Sequence, residues 1–226
     1  MNARPLYGVV IALGMVGAAA LIAVSRFAPA ENLFDQPLTV KQLLETVLAQ
    51  PAAELSATRV LSGKFIQRRY LNGLPRPLVS SGDFILAREQ GILWRTTEPF
   101  ASEFVLAPGG MTLRDGDTET HVSDAERPAL RTALEMLFAI FALDVARLAD
   151  NFELHGLAQG DGWQVGLRPR SGGLAQVFDR AVITGARHVE RIELTTPGGD
   201  RTELEFADVV TRATALDAAE AARFRQ

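Results

Sequence analysis

An arginine ends a run of alternating apolar residues in the stretch GDFILAREQGILW, at positions 82–94. The run predicts a β-hairpin, and a three-residue turn at 89–91 would place Leu86 opposite Trp94. Arg88 would then point to the same side of the sheet as these apolar side chains. Because its guanidinium keeps its charge and carries five N–H donors, it needs hydrogen-bond acceptors on such a face.

The apolar side of this hairpin is the strongest candidate for a binding surface. Two interpretations are open. One is a filled core with Arg88 at its rim, its stem buried and its charge in water; the other is a cavity between sheet and helix that holds an apolar ligand. Composition alone favours the filled core, because protein interiors are close-packed. The candidate residues on the sheet are Phe65, Phe84, Leu86, Arg88, Ile92, Trp94 and Phe104.

Residues for covalent or metal chemistry are scarce. The chain has none of the motifs of serine hydrolases, zinc proteases, P-loop proteins or dinucleotide-binding proteins. Its three histidines are scattered, and the absence of cysteine excludes thiol nucleophiles and zinc-thiolate sites. We predict no catalytic residues, no metal, no cofactor and no enzymatic activity; an acyl esterase is the enzyme alternative.

The acidic run DGDTETHVSDAE is the nearest approach to a metal site. Asp115, Asp117, Glu119 and Glu126 take the first, third, fifth and twelfth places of a calcium-binding loop. Thr120, however, stands where that loop needs a glycine for its sharp turn. A hairpin turn at DGD, followed by the start of a helix, is the better prediction.

The N-terminus has the pattern of a secretory signal peptide. Arg4 precedes the uncharged apolar segment Leu6–Val24, and an A-x-A cleavage pattern ends at Ala30. An uncleaved anchor is the alternative, since the segment is nearly long enough to span a bilayer. We predict a signal peptide at 1–30 and a single domain at 31–226 that works outside the cytoplasm.

The charge of the chain limits its partners. The net charge of −4 becomes −6 once Arg4 and Arg26 are removed. So acidic a domain is not suited to nucleic acid and has no general attraction to anionic membranes.

The rest of the sequence predicts a large antiparallel sheet interrupted by helix. A capping box at Thr39 starts an amphipathic helix that Pro51 ends. Short apolar runs separated by turns predict strands at 60–121 and again at 152–207. Between them, 124–150 predicts a helix that is apolar on nearly all sides and must be covered on more than one. Its candidate ligand-facing residues are Leu134, Leu137, Phe138 and Phe141.

These features resemble the periplasmic outer-membrane lipoprotein carrier family, LolA. Phe65 and Gln67 in LSGKFIQRR match the F-x-Q of a family strand, and EFVLAPGGMTLRDGD is similar to a later strand and glycine turn. The resemblance covers most of residues 39–210, with its specific motifs before Pro99. In GDFILAREQGILWRTTEP, the family pattern is matched at Gly82, Phe84, Arg88, Trp94 and Pro99.

The resemblance implies a fold of mainly β with α: a single-domain, unclosed antiparallel β half-barrel with a helical lid. It implies a monomeric periplasmic chaperone that shields the acyl chains of lipoproteins and moves them from the inner to the outer membrane. Its partners would be an inner-membrane exporter complex and an outer-membrane receptor lipoprotein. Arg88 would correspond to the family's closing residue, which bonds to backbone carbonyls of the lid helices.

Two other functions stay open beside lipoprotein carriage. One is a LolA-like paralogue that carries another acyl lipid for an exporter. The other is a periplasmic lipid-sensing regulatory module, since related half-barrel domains bind lipid-like signals.

Overall fold

A computed structural model describes residues 32–123, 136, 138–170, 173–177 and 179–224. The predicted signal peptide at 1–30 and the candidate residues Leu134 and Leu137 lie outside the described residues. Within the described part, no helix is both long enough and apolar enough to cross a lipid bilayer.

Strands dominate the described residues. The strands are β1 (Val60–Tyr70), β2 (Leu78–Ala87), β3 (Gly91–Glu98), β4 (Ser102–Ala107), β5 (Gly110–Asp115), β6 (Thr118–Ser123), β7 (Phe152–Gln159), β8 (Gly162–Pro169), β9 (Arg180–Gly185), β10 (Val189–Thr195) and β11 (Arg201–Arg212). The helices are α1 (Val40–Thr46), α2 (Ala49–Ser56), α3 (Val145–Ala149), α4 (Gly173–Val177) and α5 (Ala218–Ala222), and residues 138–141 are also helical.

All eleven strands form one antiparallel sheet in the order β6-β5-β4-β3-β2-β1-β11-β10-β9-β8-β7. Two meanders, β1–β6 and β7–β11, are joined where the first strand of one pairs with the last strand of the other. The edge strands β6 and β7 do not pair with each other, so the sheet is unclosed. The predicted fold class, an unclosed antiparallel half-barrel with helices, is confirmed. The hairpin predicted at DGD is also present, since Asp115 pairs with Thr118.

The two faces of the sheet are covered by different parts of the chain. We call the face that carries Phe65, Phe84 and Phe206 the inner face, because helices α1 to α3 and residues 138–141 pack on it. The opposite, outer face is also apolar at β2–β4, and there the C-terminal segment covers it with Phe224. The strands β2–β4 are therefore buried on both sides.

The predicted first helix is two helices. The capping box is confirmed, because Thr39 Oγ1 accepts from the Gln42 backbone N–H while the Gln42 side chain accepts from that of Thr39. The prediction that Pro51 ends the helix is wrong: α1 stops at Thr46, and Pro51 lies in the first turn of α2. In a first turn the missing N–H of proline has no intrahelical partner to lose.

Helix α1 lies close against the edge strand β7. Leu38, just before the helix, donates its backbone N–H to the Leu154 carbonyl oxygen at 2.7 Å. Gly156 faces Leu43 of α1, and a Cβ at this glycine would overlap the leucine side chain. Helix α2 follows α1 in the chain and bounds the candidate site.

Candidate functional site

The hairpin at 82–94 keeps a three-residue turn, but that turn lies one residue earlier than predicted, at 88–90. Phe84 pairs with Trp94, and Ala87 pairs with Gly91, which begins β3 instead of ending the turn. Gly91 has a φ of 119° and no room for a Cβ beside the Leu106 carbonyl, so glycine is required there. The predicted register is wrong, yet the alternation keeps the same apolar side chains on the inner face.

Five aromatic rings meet on the inner face. Phe65 stacks on Trp94 with ring centroids 3.9 Å apart, and Phe84 lies 5.8 Å from Phe141 of the helical segment. Phe206 of β11 completes the group, with its ring centroid 5.1 Å from that of Phe141 and 5.4 Å from that of Phe84. The five rings connect strands β1, β2, β3 and β11 to the helical residues 138–141. Offset and edge-on pairs of this kind stabilise a packed interior.

The structure brings the other described candidates to the same region. Leu86 and Ile92 are buried in the core around the cluster, while Phe104 and Phe138 are half-buried against it. Sequence analysis missed Phe206. Its alternation with Leu204 in TELEF was the available signal, but only the pairing of Phe206 with Phe65 shows which face it joins.

A small cavity of about 20 Å³ remains beside the cluster. That is room for about one water molecule. The cavity is lined by residues of α2, β1 and β2, by the residues between α2 and β1, and by the β2–β3 turn. Residues 138–142, which we call the helical segment, complete the lining. The lining residues are Leu55, Thr58, Arg59, Leu61, Leu86, Arg88, Phe138, Phe141 and Ala142.

Arg88 lies in the hairpin turn, where its side chain reaches over the cavity toward α2. Its Nη2 donates to the Ser56 carbonyl oxygen at 3.3 Å, and Ser56 is the last residue of α2. Carbonyls in the last turn of a helix have no intrahelical partner, and a cation is favoured there. The acceptor is therefore of the expected kind, a helix-end carbonyl, but it belongs to α2.

A second arginine stands beside Arg88 at the cavity. Arg59 accepts a backbone hydrogen bond from the Arg88 N–H at 2.9 Å, and its guanidinium forms an ion pair with Glu89. Both arginine side chains are exposed to solvent. Two arginines therefore line the solvent-exposed side of the cavity, which we call its mouth.

A larger groove of about 480 Å³ lies between α1–α2 and the β7–β8 and β9–β10 turns. Its walls mix apolar groups with Gln50, Glu54, Asp161 and Arg187, and the last of these approaches Glu54 at 3.8 Å. None of the residues predicted to bind a ligand lines this groove.

His155 is buried and holds its place through the Gln36 carbonyl at 3.0 Å and Glu153 at 2.9 Å. Across the described ranges, no group of three or more His, Asp or Glu side chains is placed to hold a metal ion. What the arrangement offers is an apolar interior with a basic mouth.

No protein-family model and no curated protein matches this chain. A DUF1329 family protein from Desulfovibrio piger is similar in structure, with 11% identity over 74% of this chain and 91% of that chain and a TM-score of 0.42. A LolA superfamily protein from Nitrosomonas europaea shows 8% identity, 74% and 94% coverage and a TM-score of 0.36. A domain described as outer membrane lipoprotein-sorting, from Vibrio parahaemolyticus, shows 9% identity, 78% and 96% coverage and a TM-score of 0.39. At such identities, function does not follow from a likeness of fold.

Proposed function

We propose that this protein is a periplasmic carrier that binds acyl chains between the inner face of its sheet and the helices packed on that face. The observation that carries the proposal is the cavity between α2, β1, β2 and the helical segment. It adjoins the aromatic cluster, so a chain that passes the mouth meets mainly apolar side chains. Pockets for apolar ligands have this character, with few polar groups at the mouth.

This cavity is too small for an acyl chain, so binding at this point requires the helices to move away from the sheet. In the described residues, the side chain of Arg88 makes one hydrogen bond across the mouth, to Ser56. A bond to a charged group contributes about 1.5–3 kcal/mol, and less at an exposed site. Burying a chain of about sixteen carbons contributes on the order of 12 kcal/mol, which is enough to offset opening.

The cargo of first choice is the acyl chains of lipoproteins moving from the inner to the outer membrane. Another acyl lipid is the second. In either case the chain would be received from an inner-membrane exporter complex and passed to an outer-membrane receptor lipoprotein. The ligand leaves unchanged, so the protein acts as a chaperone and not as an enzyme.

Native mass spectrometry of protein purified without detergent tests the proposal. Bound lipid-modified peptides would support lipoprotein carriage, and a bound free acyl lipid would support the second cargo. Protein that carries nothing, and takes up no fatty acid when oleate is added, would contradict acyl-chain binding altogether.

Two neighbouring residues of β1 provide a matched pair of variants. Leu61 lines the cavity, whereas Val60 packs on the outer face against the C-terminal segment. Leu61→Phe fills the cavity and should reduce the amount of bound lipid. Val60→Ile adds a methylene on the other side of the sheet and should leave the bound lipid as in the parent protein. Equal occupancy in both variants would place the ligand elsewhere.

A further inference from the structure

The cavity mouth carries positive charge that the binding of an acyl chain alone does not require. Of the nine residues that line the cavity, the two exposed ones are Arg59 and Arg88. The others are buried or half-buried. An uncharged acyl ligand gains nothing from two guanidinium groups at this point, and each side chain loses conformational freedom when it is held there.

The two guanidinium groups have donors to spare for a ligand. Arginine carries five N–H donors, and the described residues supply the Arg88 side chain with one acceptor, the Ser56 carbonyl. No carboxylate of the described residues lies within ion-pair distance of Arg88. The forked guanidinium matches the oxygens of a carboxylate or a phosphate, which accept two parallel bonds.

One acidic side chain acts against an anion at this mouth. Glu89 pairs with Arg59 and is exposed, so water screens both its repulsion and its attraction. The described residues that α2 and the segment 138–142 contribute to the lining include no acidic side chain. Among the described residues, the mouth therefore carries two positive charges against one negative charge.

We infer that the cargo of this site is an acyl lipid with a negatively charged group next to its chain, held by Arg59 and Arg88 while the chain lies on the inner face. The inference rests on the proposed acyl-chain binding and narrows it. A fatty-acid carboxylate and the phosphate of an anionic phospholipid share this chemistry. Opening then has a direct cause, because an oxyanion that bonds to Arg88 replaces the Ser56 carbonyl and releases the end of α2.

Two matched lipid pairs test the inference: oleate against oleyl alcohol, and dioleoyl phosphatidic acid against dioleoylglycerol. Binding is measured with the full-length protein, at a pH at which the carboxylate of oleate is ionised. We expect the charged member of at least one pair to bind about tenfold more tightly or better. The pair that shows the preference identifies the source of the oxyanion.

Substitutions test which residues cause the preference for the charged lipid over the neutral one. Arg59→Gln and Arg88→Gln should each reduce it about tenfold, while Arg76→Gln, an exposed arginine on the β1–β2 connection, should leave it unchanged. Glu89→Gln should strengthen binding of the charged lipid and leave binding of the neutral lipid unchanged, because it removes the negative charge beside Arg59.

The possible failures are distinguishable. Equal binding of charged and neutral lipids would overturn the inference and leave the carrier function standing. A preference that persists in the Arg59 and Arg88 variants would overturn the assignment to this mouth. No binding of any of the four lipids would overturn the carrier function, and the inference with it.

Discussion

The side chain of Arg88 holds the end of helix α2, because its Nη2 donates to the carbonyl oxygen of Ser56 at 3.3 Å across 32 positions of sequence. The same arginine stands at the mouth of the inner cavity. A single residue thus both fastens a helix to the sheet and faces whatever enters beneath that helix.

The first prediction concerns this fastening. Arg88→Leu should leave the fold intact, since the side chain is exposed, but should loosen α2. Hydrogen exchange should therefore speed up over Ala49–Ser56 and remain unchanged over the central strands. Arg76→Leu removes the same charge from the β1–β2 connection, at the opposite end of β2 from Arg88, and serves as the control. Unaltered exchange in α2 of the Arg88 variant would show that the bond does not hold the helix.

The second prediction concerns Trp94, which stacks on Phe65. An acyl chain that reaches the cluster should change the emission wavelength or intensity of this indole. The chain has two tryptophans, so the measurement requires Trp163→Phe, which sacrifices the bond from Trp163 to the Ala186 carbonyl. Emission that does not respond to oleate, when mass spectrometry shows oleate bound, would place the ligand away from Trp94.

The third prediction compares two buried phenylalanines on opposite faces of the sheet. Phe141 is 4% exposed at the cavity, and Phe224 is 5% exposed on the outer face. Substitution of either by alanine should lower the free energy of unfolding by about 3–5 kcal/mol, because each leaves an unfilled space. Only Phe141→Ala enlarges the cavity, so only this variant should bind oleate faster.

Urea titrations give the two stabilities, and stopped-flow Trp94 emission gives the two binding rates. Faster binding in Phe224→Ala as well would mean that general loosening, and not the cavity, controls entry.

The fourth prediction concerns acid. Hydrogen bonds from Arg212, and then from the Asp217 backbone N–H, hold the pKa of Glu220 below its usual value of 4.5. The carboxylate therefore binds its proton more readily in the unfolded chain, and its contribution to stability is lost as the pH falls through the lowered pKa. Melting temperatures of the parent and Glu220→Gln should differ at neutral pH and converge in acid. A difference that stays constant with pH would exclude this linkage.

Local patterns in the sequence predicted the strands and the start of the first helix, but not the break between α1 and α2 or the short helix α4. The capping box at Thr39 fixes the start of α1, and alternation with turn residues predicts the strands, because both depend on neighbours a few residues apart. Register was not predictable in the same way. The need for glycine at position 91 comes from the Leu106 carbonyl, which lies on a different strand and leaves no room for a Cβ.

The unbroken apolar run Phe84 to Ala87 was a signal that sequence analysis did not use. A strand that is covered on one face alternates, whereas a continuous run indicates burial on both. Phe84 and Leu86 face the inner core, and Ile85 and Ala87 face the C-terminal segment. Whether the inner face is filled or hollow depends on how closely distant segments pack, which composition does not determine.

The central pairing of β1 with β11 has a consequence for how the chain reaches this structure. Phe65 and Phe206 are cross-strand neighbours although most of the chain separates them. Contacts so distant in sequence require a long loop to close, and folds dominated by them form slowly. Until β11 is available, β1 and β10 each present an unpaired edge in the middle of the future sheet. A growing chain of this protein therefore cannot complete its sheet until β11, at Arg201–Arg212, has been made.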